Sequence, residues 1–378
     1  MVKGRLVRVS SRYKNYYVAL FLLILLGLIV TAAWQFWPHS IDDGSQSLYE
    51  RDVSHQKPIT ITANHKLPPP GDNSCLFYSC FDVYNCGYND ETKISIYVYP
   101  QQYYVDENNL PILPSPSKEF VEVIDAIKNS IYYTPVPDRA CLFVPFVDTL
   151  NQNTIRVKET GKILATLPYW RDGSNHILFS MLPGSLPDFN TTLDVPRGRS
   201  LLAGGGFSTW TYRRGFDVAV PVFNPLTAGI QLPNSGKKRL FLLISAQLYL
   251  HPLYKADLQQ ATSSVSSQHH RMLLLDKCPD DEFYTRCGEG AVYQYPHILQ
   301  NSTFCLIVRG ARLGQTAFSD AIQAGCIPVV VADGFILPFS EVLDWKKAAV
   351  HIREEELPHV MEILTRFSTE RIKTCKFK

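Results

Sequence analysis

The chain has 378 residues, 46% hydrophobic and 12% aromatic, which is enough apolar material to bury the cores of two domains of ordinary size. Its formal net charge of +2 is too small to argue for nucleic acid as a partner. The charge is unevenly placed: Lys3, Arg5, Arg8, Arg12 and Lys14 all precede the first acidic residue, Asp42.

Those bases lead into an uncharged apolar run, Val18–Ala33, bracketed by Tyr16, Tyr17, Trp34, Phe36 and Trp37. With its flanks the run is long enough to cross a bilayer, and its aromatics sit where interface belts sit. The pattern predicts a cytosolic tail (1–15), a transmembrane signal-anchor (16–37) and a lumenal remainder. A cleaved signal peptide is the alternative, but the run is long for one and the small-residue cleavage site is poor. Residues 38–74, polar and proline-containing, read as a stem.

None of the nine cysteines precedes the predicted anchor, as expected for a body in an oxidising compartment. The expected disulfides are Cys75–Cys80, Cys86–Cys141, Cys278–Cys287 and Cys305–Cys326, with Cys375 left over. The last pair has a geometric basis, since both residues fall on what should be neighbouring parallel strands. Zinc is disfavoured because no CxxC pair and no metal-spaced histidine pair occurs. Asn190 and Asn301 each begin a glycosylation sequon.

Strands and helices then alternate. In a first domain (75–235) the pattern predicts strands at Ile94–Tyr99, Cys141–Val147 and His176–Met181, with helices at Glu119–Ser130 and Thr154–Leu167. In a second (236–350) it predicts strands at Leu240–Ser245, Met272–Leu275, Phe304–Val308 and Cys326–Ala332. Helices are expected through the 250s, briefly at Pro296–Leu299, and at Gln315–Ala324. Residues 351–378 read as a helical or irregular tail. Such alternation implies parallel sheets covered on both faces.

The segment Phe304–Trp345 carries the clearest chemistry. A basic loop, Arg309-Gly310-Ala311-Arg312, lies between a buried strand and a helix N-terminus, which suits an anionic nucleotide. Sugar transfer from a nucleotide expels a diphosphate, and the sequence has no Asp-x-Asp to hold a metal against it. Arg309, Gly310 and Arg312 are therefore the candidate donor-binding residues. Asp320, one turn into the helix, is a candidate for the ribose hydroxyls or else a helix-surface aspartate.

Asp148, at the carboxyl end of its strand, is the candidate general base, with a turn or helix-capping role as the alternative. Asp217 and Glu341 are weaker candidates. Arg171 and Arg213 lead the candidates for contacting an acidic acceptor, and Arg197, Arg199 and Arg214 are further scattered charges. Gly204-Gly205-Gly206 lacks the rest of a dinucleotide fingerprint and reads as a permissive loop at the cleft. No Walker sequence, nucleophile elbow or H-E-x-x-H occurs.

Five stretches carry a family resemblance: CFDVYNCG (80–87), RACLFVPFVDTLNQNT (139–154), NHILFSMLPG (175–184), LDVPRGRSLLAGGGFSTWTYRRGFDVAVPVF (193–223), and RGARLGQ through LPFSEVLDW (309–345). By these the chain resembles the exostosin family, glycosyltransferase family 47. The resemblance implies a GT-B fold, two Rossmann-like domains facing a cleft, in a type II membrane protein of the Golgi and ER. It implies inverting, metal-free transfer of glucuronic acid from UDP-glucuronate onto heparan sulfate, in a hetero-complex with an exostosin-1-type paralogue. Family members continue into a second, family-64 domain that this chain does not reach, so the donor half is expected to be incomplete.

The chain departs from the catalytically active members at Val308, where they tend to have proline, at Ala311, where they have a further arginine, and at Asp320, where they have glutamate. After the strand ending at Ser245 it has Ala246-Gln247-Leu248 in place of a glycine and basic residues. Losing a fixed cation beside a leaving diphosphate costs several kcal/mol of transition-state stabilisation. Two functional readings follow: an active glucuronosyltransferase half, or a catalytically weak module kept as a structural partner. A glycan-binding receptor ectodomain is a third, unrelated reading.

Overall fold

In the computed structural model the fold begins earlier than the sequence suggests. It describes residues 57–86, 94–182, 192–222, 224, 227, 239–248, 250–263, 271–279, 284–310, 312, 313 and 315–367. The expected cytosolic tail, transmembrane segment and first part of the stem, together with Asn190, Ala311 and Cys375, lie outside the described residues. Among the described residues no helix is long and apolar enough to cross a membrane.

Residues 57–74, expected as stem, belong to the same unit as the rest of the described chain. β1 (Ile59–Thr60) is followed by α1 (Phe77–Cys80), β2 (Ile96–Val98) and β3 (Tyr104–Val105), and β1 pairs in parallel with β3. Ile61 is buried in the same core as Tyr99 and Tyr104. Apolar burial therefore draws this segment into the fold despite its prolines.

The first sheet is completed by α2 (Lys118–Lys128), β4 (Leu142–Val144), α3 (Val157–Thr166), β5 (Ile177–Ser180), β6 (Leu201–Gly204) and β7 (Val218–Ala219). β2 pairs with β4 and β5-β6-β7 pair in order, all in parallel, with a bridge from Phe143 to His176 joining the two sets. α2 starts where Ser117 accepts the Phe120 N–H, and it buries Phe120, Val121 and Ile124 on one stripe. The helix expected over Thr154–Leu167 begins only at Val157, because a 3-10 turn (Gln152–Thr154) and extended Ile155–Arg156 precede it.

The second sheet and its coverings run through β8 (Phe241–Ser245), α4 (Pro252–Ser263), β9 (Met272–Leu274), the separate hairpin β10 (Thr285–Gly288) and β11 (Ala291–Gln294), then β12 (Ser302–Val308), α5 (Thr316–Gln323), β13 (Ile327–Val331), β14 (Val350–His351) and α6 (Val360–Thr365). Its strand order is β14-β13-β12-β8-β9, parallel throughout. β12 distributes alternate side chains to two cores. Cys305 and Ile307 meet Phe318 of α5, while Phe304, Leu306 and Val308 meet Leu258 of α4 and Val360 and Leu364 of α6. Residues 350–365 are thus integral to this half, where the sequence reading placed a tail from 351.

All four expected disulfides are present: Cys75–Cys80, Cys86–Cys141, Cys278–Cys287 and Cys305–Cys326. Asn301 is half-buried at the end of a 3-10 turn, one residue before β12.

Candidate nucleotide-binding site

The strand order of the second sheet defines a crevice. From β8 the chain passes to β9 on one side, then crosses back to β12 on the other. The loops leaving β8 and β12 diverge at this reversal, which is where open parallel sheets bind ligands. Gln247, two residues beyond β8, spans the opening with its amide. Its Nε2 donates to the Val308 carbonyl at 2.9 Å and its Oε1 accepts the Val308 N–H at 3.1 Å. Ser245 ends β8 with a buried hydroxyl that has no hydrogen-bond partner among the described residues. It lines a cavity of about 380 Å³ with Gln247, Lys255, Asp276 and Lys277. Lys255 and Asp276 form an ion pair across it.

The basic loop leaves β12 beside this crevice. The Arg309 N–H donates to Val331 at 3.0 Å, and its guanidinium lies 3.4 Å from Glu354. Glu354 also accepts the Asp333 N–H at 2.8 Å and the Tyr254 hydroxyl at 2.6 Å, so one carboxylate ties α4, the end of β13 and the basic loop together. Arg312 is half-buried, and desolvation pulls its pKa below the ordinary arginine value. A Cβ on Gly310 would lie 1.7 Å from the Gln315 side-chain nitrogen. That glycine therefore makes room for Gln315, whose amide donates to the Arg312 carbonyl at 3.1 Å. No side chain caps α5, so its first amide N–H groups face the same loop.

Asp320 is placed differently from the sequence expectation. It is fully buried: the Tyr295 hydroxyl donates to one carboxylate oxygen and Asn224 Nδ2 donates to the other at 2.8 Å. Burial raises its pKa against these hydrogen bonds. The neighbouring Ser319 hydroxyl donates to the Val222 carbonyl at 2.8 Å. Both residues thus use α5 to hold the segment leaving the first sheet, and Asp320 offers no open face to a ribose.

In the first half, Asp148 accepts the Ser117 N–H at 2.8 Å, the Ser117 hydroxyl at 2.6 Å and the Leu150 N–H at 3.0 Å. Through Leu150 the carboxylate starts a turn, one of the alternatives in the sequence reading; through Ser117 it anchors the start of α2, which precedes it, and not the helix that follows. Arg213 is a correction to the acceptor candidates. It is buried, pairs with Asp217 at 2.6 Å, and donates to the carbonyls of Asp72 at 3.0 Å and Ser200 at 2.8 Å. Asp217 in turn accepts the Leu202 N–H at 2.9 Å. This pair clamps the turn before β7 and has no surface for an acceptor. Arg171 is exposed, with a positive φ of 42°.

Arg309, Gly310 and Arg312 lie in the loop that follows β12, with Arg309 held against Val331 and Glu354, while Asp320 and Arg213 turn inward. The sequence reading missed Ser245, Glu354 and Arg286. Arg286 lies in β10, stacks 4.1 Å from the Tyr295 ring centroid and donates to the Ala246 carbonyl at 3.2 Å. The Gly288-Glu289-Gly290 turn, with Glu289 and Gly290 at positive φ, was the available signal for the hairpin that places it.

The family model described as Exostosin GT47 domain matches residues 90–367. Similar curated proteins include Exostosin-2 of Mus musculus, 48% identical over 374 residues, which is 97% of this chain and 51% of the relative. Exostosin-2 of Homo sapiens is 48% identical over 94% of this chain and 50% of its own length. Exostosin-1 of Drosophila melanogaster is 34% identical over 84% of this chain and 43% of its own length. The chain spans about half the length of these curated relatives.

Proposed function

The chain belongs to the exostosin GT47 family of glycosyltransferases, and from that premise we propose that it binds a UDP-sugar at the carboxyl ends of β8 and β12, as part of an enzyme that builds heparan sulfate. The donor is UDP-glucuronate, transferred with inversion, in a GT-B arrangement of the two halves. The observation that carries this reading is the crevice at the strand-order reversal, flanked by Arg309, Arg312 and the uncapped start of α5. Those groups neutralise the leaving diphosphate, so no metal cofactor is required in a sequence without Asp-x-Asp. Asp148 is the candidate base, released from Ser117 when an acceptor hydroxyl arrives. The body is lumenal in the Golgi and ER, held by the N-terminal helix, glycosylated at Asn190 and Asn301, and paired with an exostosin-1-type subunit.

A specific observation favours a second reading. The crevice position at 247 is a neutral amide engaged with Val308, and Arg309 faces Glu354. Both reduce the positive charge available to a diphosphate. In this reading the domain is a catalytically weak partner that stabilises an exostosin-1-type subunit.

The separating experiment supplies the purified full chain with UDP-glucuronate, a heparan oligosaccharide and a metal chelator. Glucuronate transfer that disappears in Arg312→Ala supports the active reading. No transfer by the chain alone, with stabilisation of the paralogue when the two are mixed, supports the second.

A further inference from the structure

We propose that Trp210 and Arg214 form a contact surface for the acidic sugar chain, with the indole stacking on a pyranose face and the guanidinium meeting a carboxylate. This deepens the reading above and rests on it. Tryptophan is normally among the more buried residues, yet Trp210 is 93% exposed. The other described tryptophans, Trp170 and Trp345, are 5% and 8% exposed.

The exposure is imposed by a fixed loop. The Ser208 hydroxyl accepts the Trp210 N–H at 3.3 Å, and the Ser208 carbonyl accepts the N–H groups of Thr211 at 3.1 Å and Tyr212 at 3.0 Å. The Thr209 N–H donates to the Gly334 carbonyl at 2.8 Å, and the Ile336 N–H donates to the Phe207 carbonyl at 2.9 Å. The loop leaves the carboxyl end of β6 in one sheet and bonds to the segment beyond the carboxyl end of β13 in the other. Carboxyl ends are where both sheets meet ligands. Asp333, next to Gly334, donates its N–H to the Glu354 that faces Arg309, so the backbone of the loop carrying Trp210 is linked through adjacent residues to the basic loop after β12.

A rigid aromatic presents a large contact area at little entropic cost. Sugar rings offer C–H faces to such a surface, with their hydroxyl and carboxylate groups around the edge. Arg214 supplies the matching charge. Its side chain is 89% exposed and lies 3.9 Å from Glu341, an exposed ion pair too weak to withhold it from a uronate. A protein partner would use the same indole differently, and the experiment tells the two apart.

The test titrates the full chain with a heparan oligosaccharide, following tryptophan fluorescence and calorimetry, and titrates UDP separately. The expected result is a fluorescence change in the wild type that is absent in Trp210→Ala. Oligosaccharide affinity falls roughly tenfold in Trp210→Ala and in Arg214→Ala, with UDP affinity unchanged. Trp210→Phe keeps part of the affinity. Oligosaccharide binding untouched by Trp210→Ala overturns the proposal, and loss of paralogue binding in that variant would then assign the surface to a protein partner. Absence of UDP binding in the wild type instead overturns the nucleotide reading, while a Trp210-dependent oligosaccharide signal would survive it.

Discussion

Gln247 and Val308, 61 residues apart in sequence, are joined by a two-way hydrogen bond between the glutamine amide and the valine backbone, at 2.9 and 3.1 Å. The side chain continues the β8–β12 ladder by one step at the point where the two strands would otherwise part. The two residues form one feature: a proline at 308 would have no N–H to give Gln247.

Gln247→Glu keeps the shape but replaces the donating amide with an ionised oxygen facing the Val308 carbonyl. The expected loss is about 1–3 kcal/mol of stability at neutral pH, read by denaturant unfolding. UDP binding should weaken in the same variant, because the new charge repels a diphosphate.

Asp217→Asn leaves the buried Arg213 guanidinium without its counter-charge. Removing one partner of a buried pair costs about 3–5 kcal/mol, so the variant should accumulate poorly and unfold at much lower denaturant. An Asn variant as stable as the wild type would remove the structural role assigned to this pair.

His176 sets a pH dependence. Its Nδ1 donates to the Ser174 carbonyl at 2.8 Å, so Nε2 accepts the Tyr99 hydroxyl at 3.0 Å, and burial lowers its pKa from 6.5 to about 4. The folded chain keeps the ring neutral, while the unfolded chain takes up a proton below pH 6.5. Stability present above that pH is therefore lost as pH falls towards 4, by roughly 3 kcal/mol in full. Unfolding measured between pH 7 and 4 should show a flatter profile in His176→Gln than in the wild type.

The disulfides differ in leverage. Cys86–Cys141 closes a separation of 55 residues and Cys75–Cys80 one of 5. Loop-closure entropy assigns about 4 kcal/mol to the first and about 2 kcal/mol to the second. Paired serine substitutions at 86 and 141 should thus lower the unfolding midpoint more than those at 75 and 80.

The second sheet was legible because its strands are continuous buried apolar runs, Phe304–Val308 and Ile327–Val331 among them, separated by a helix with an apolar stripe. The Cys305–Cys326 disulfide followed from that reading, since Cys305 lies in β12 and Cys326 immediately before the adjacent β13. β6 and β7 were missed because short strands in a glycine-containing stretch carry no periodicity. The site was less legible. Residue type offered Arg213 as a surface charge, although Asp217 four residues on was the sign of an internal pair. Asp320 had the right spacing for a ligand contact, but partners 96 and 25 residues away decide that it is buried. Gln247 looked like a lost cation, and only the fold shows what the amide holds instead.

The central claim is that nucleotide binds where β8 and β12 part. It is tested most directly by determining the structure of the full chain with UDP. The account predicts the diphosphate at the carboxyl ends of these strands, within hydrogen-bond reach of Arg312 and the start of α5. UDP bound against the first sheet, or no UDP at saturating concentration, would contradict it.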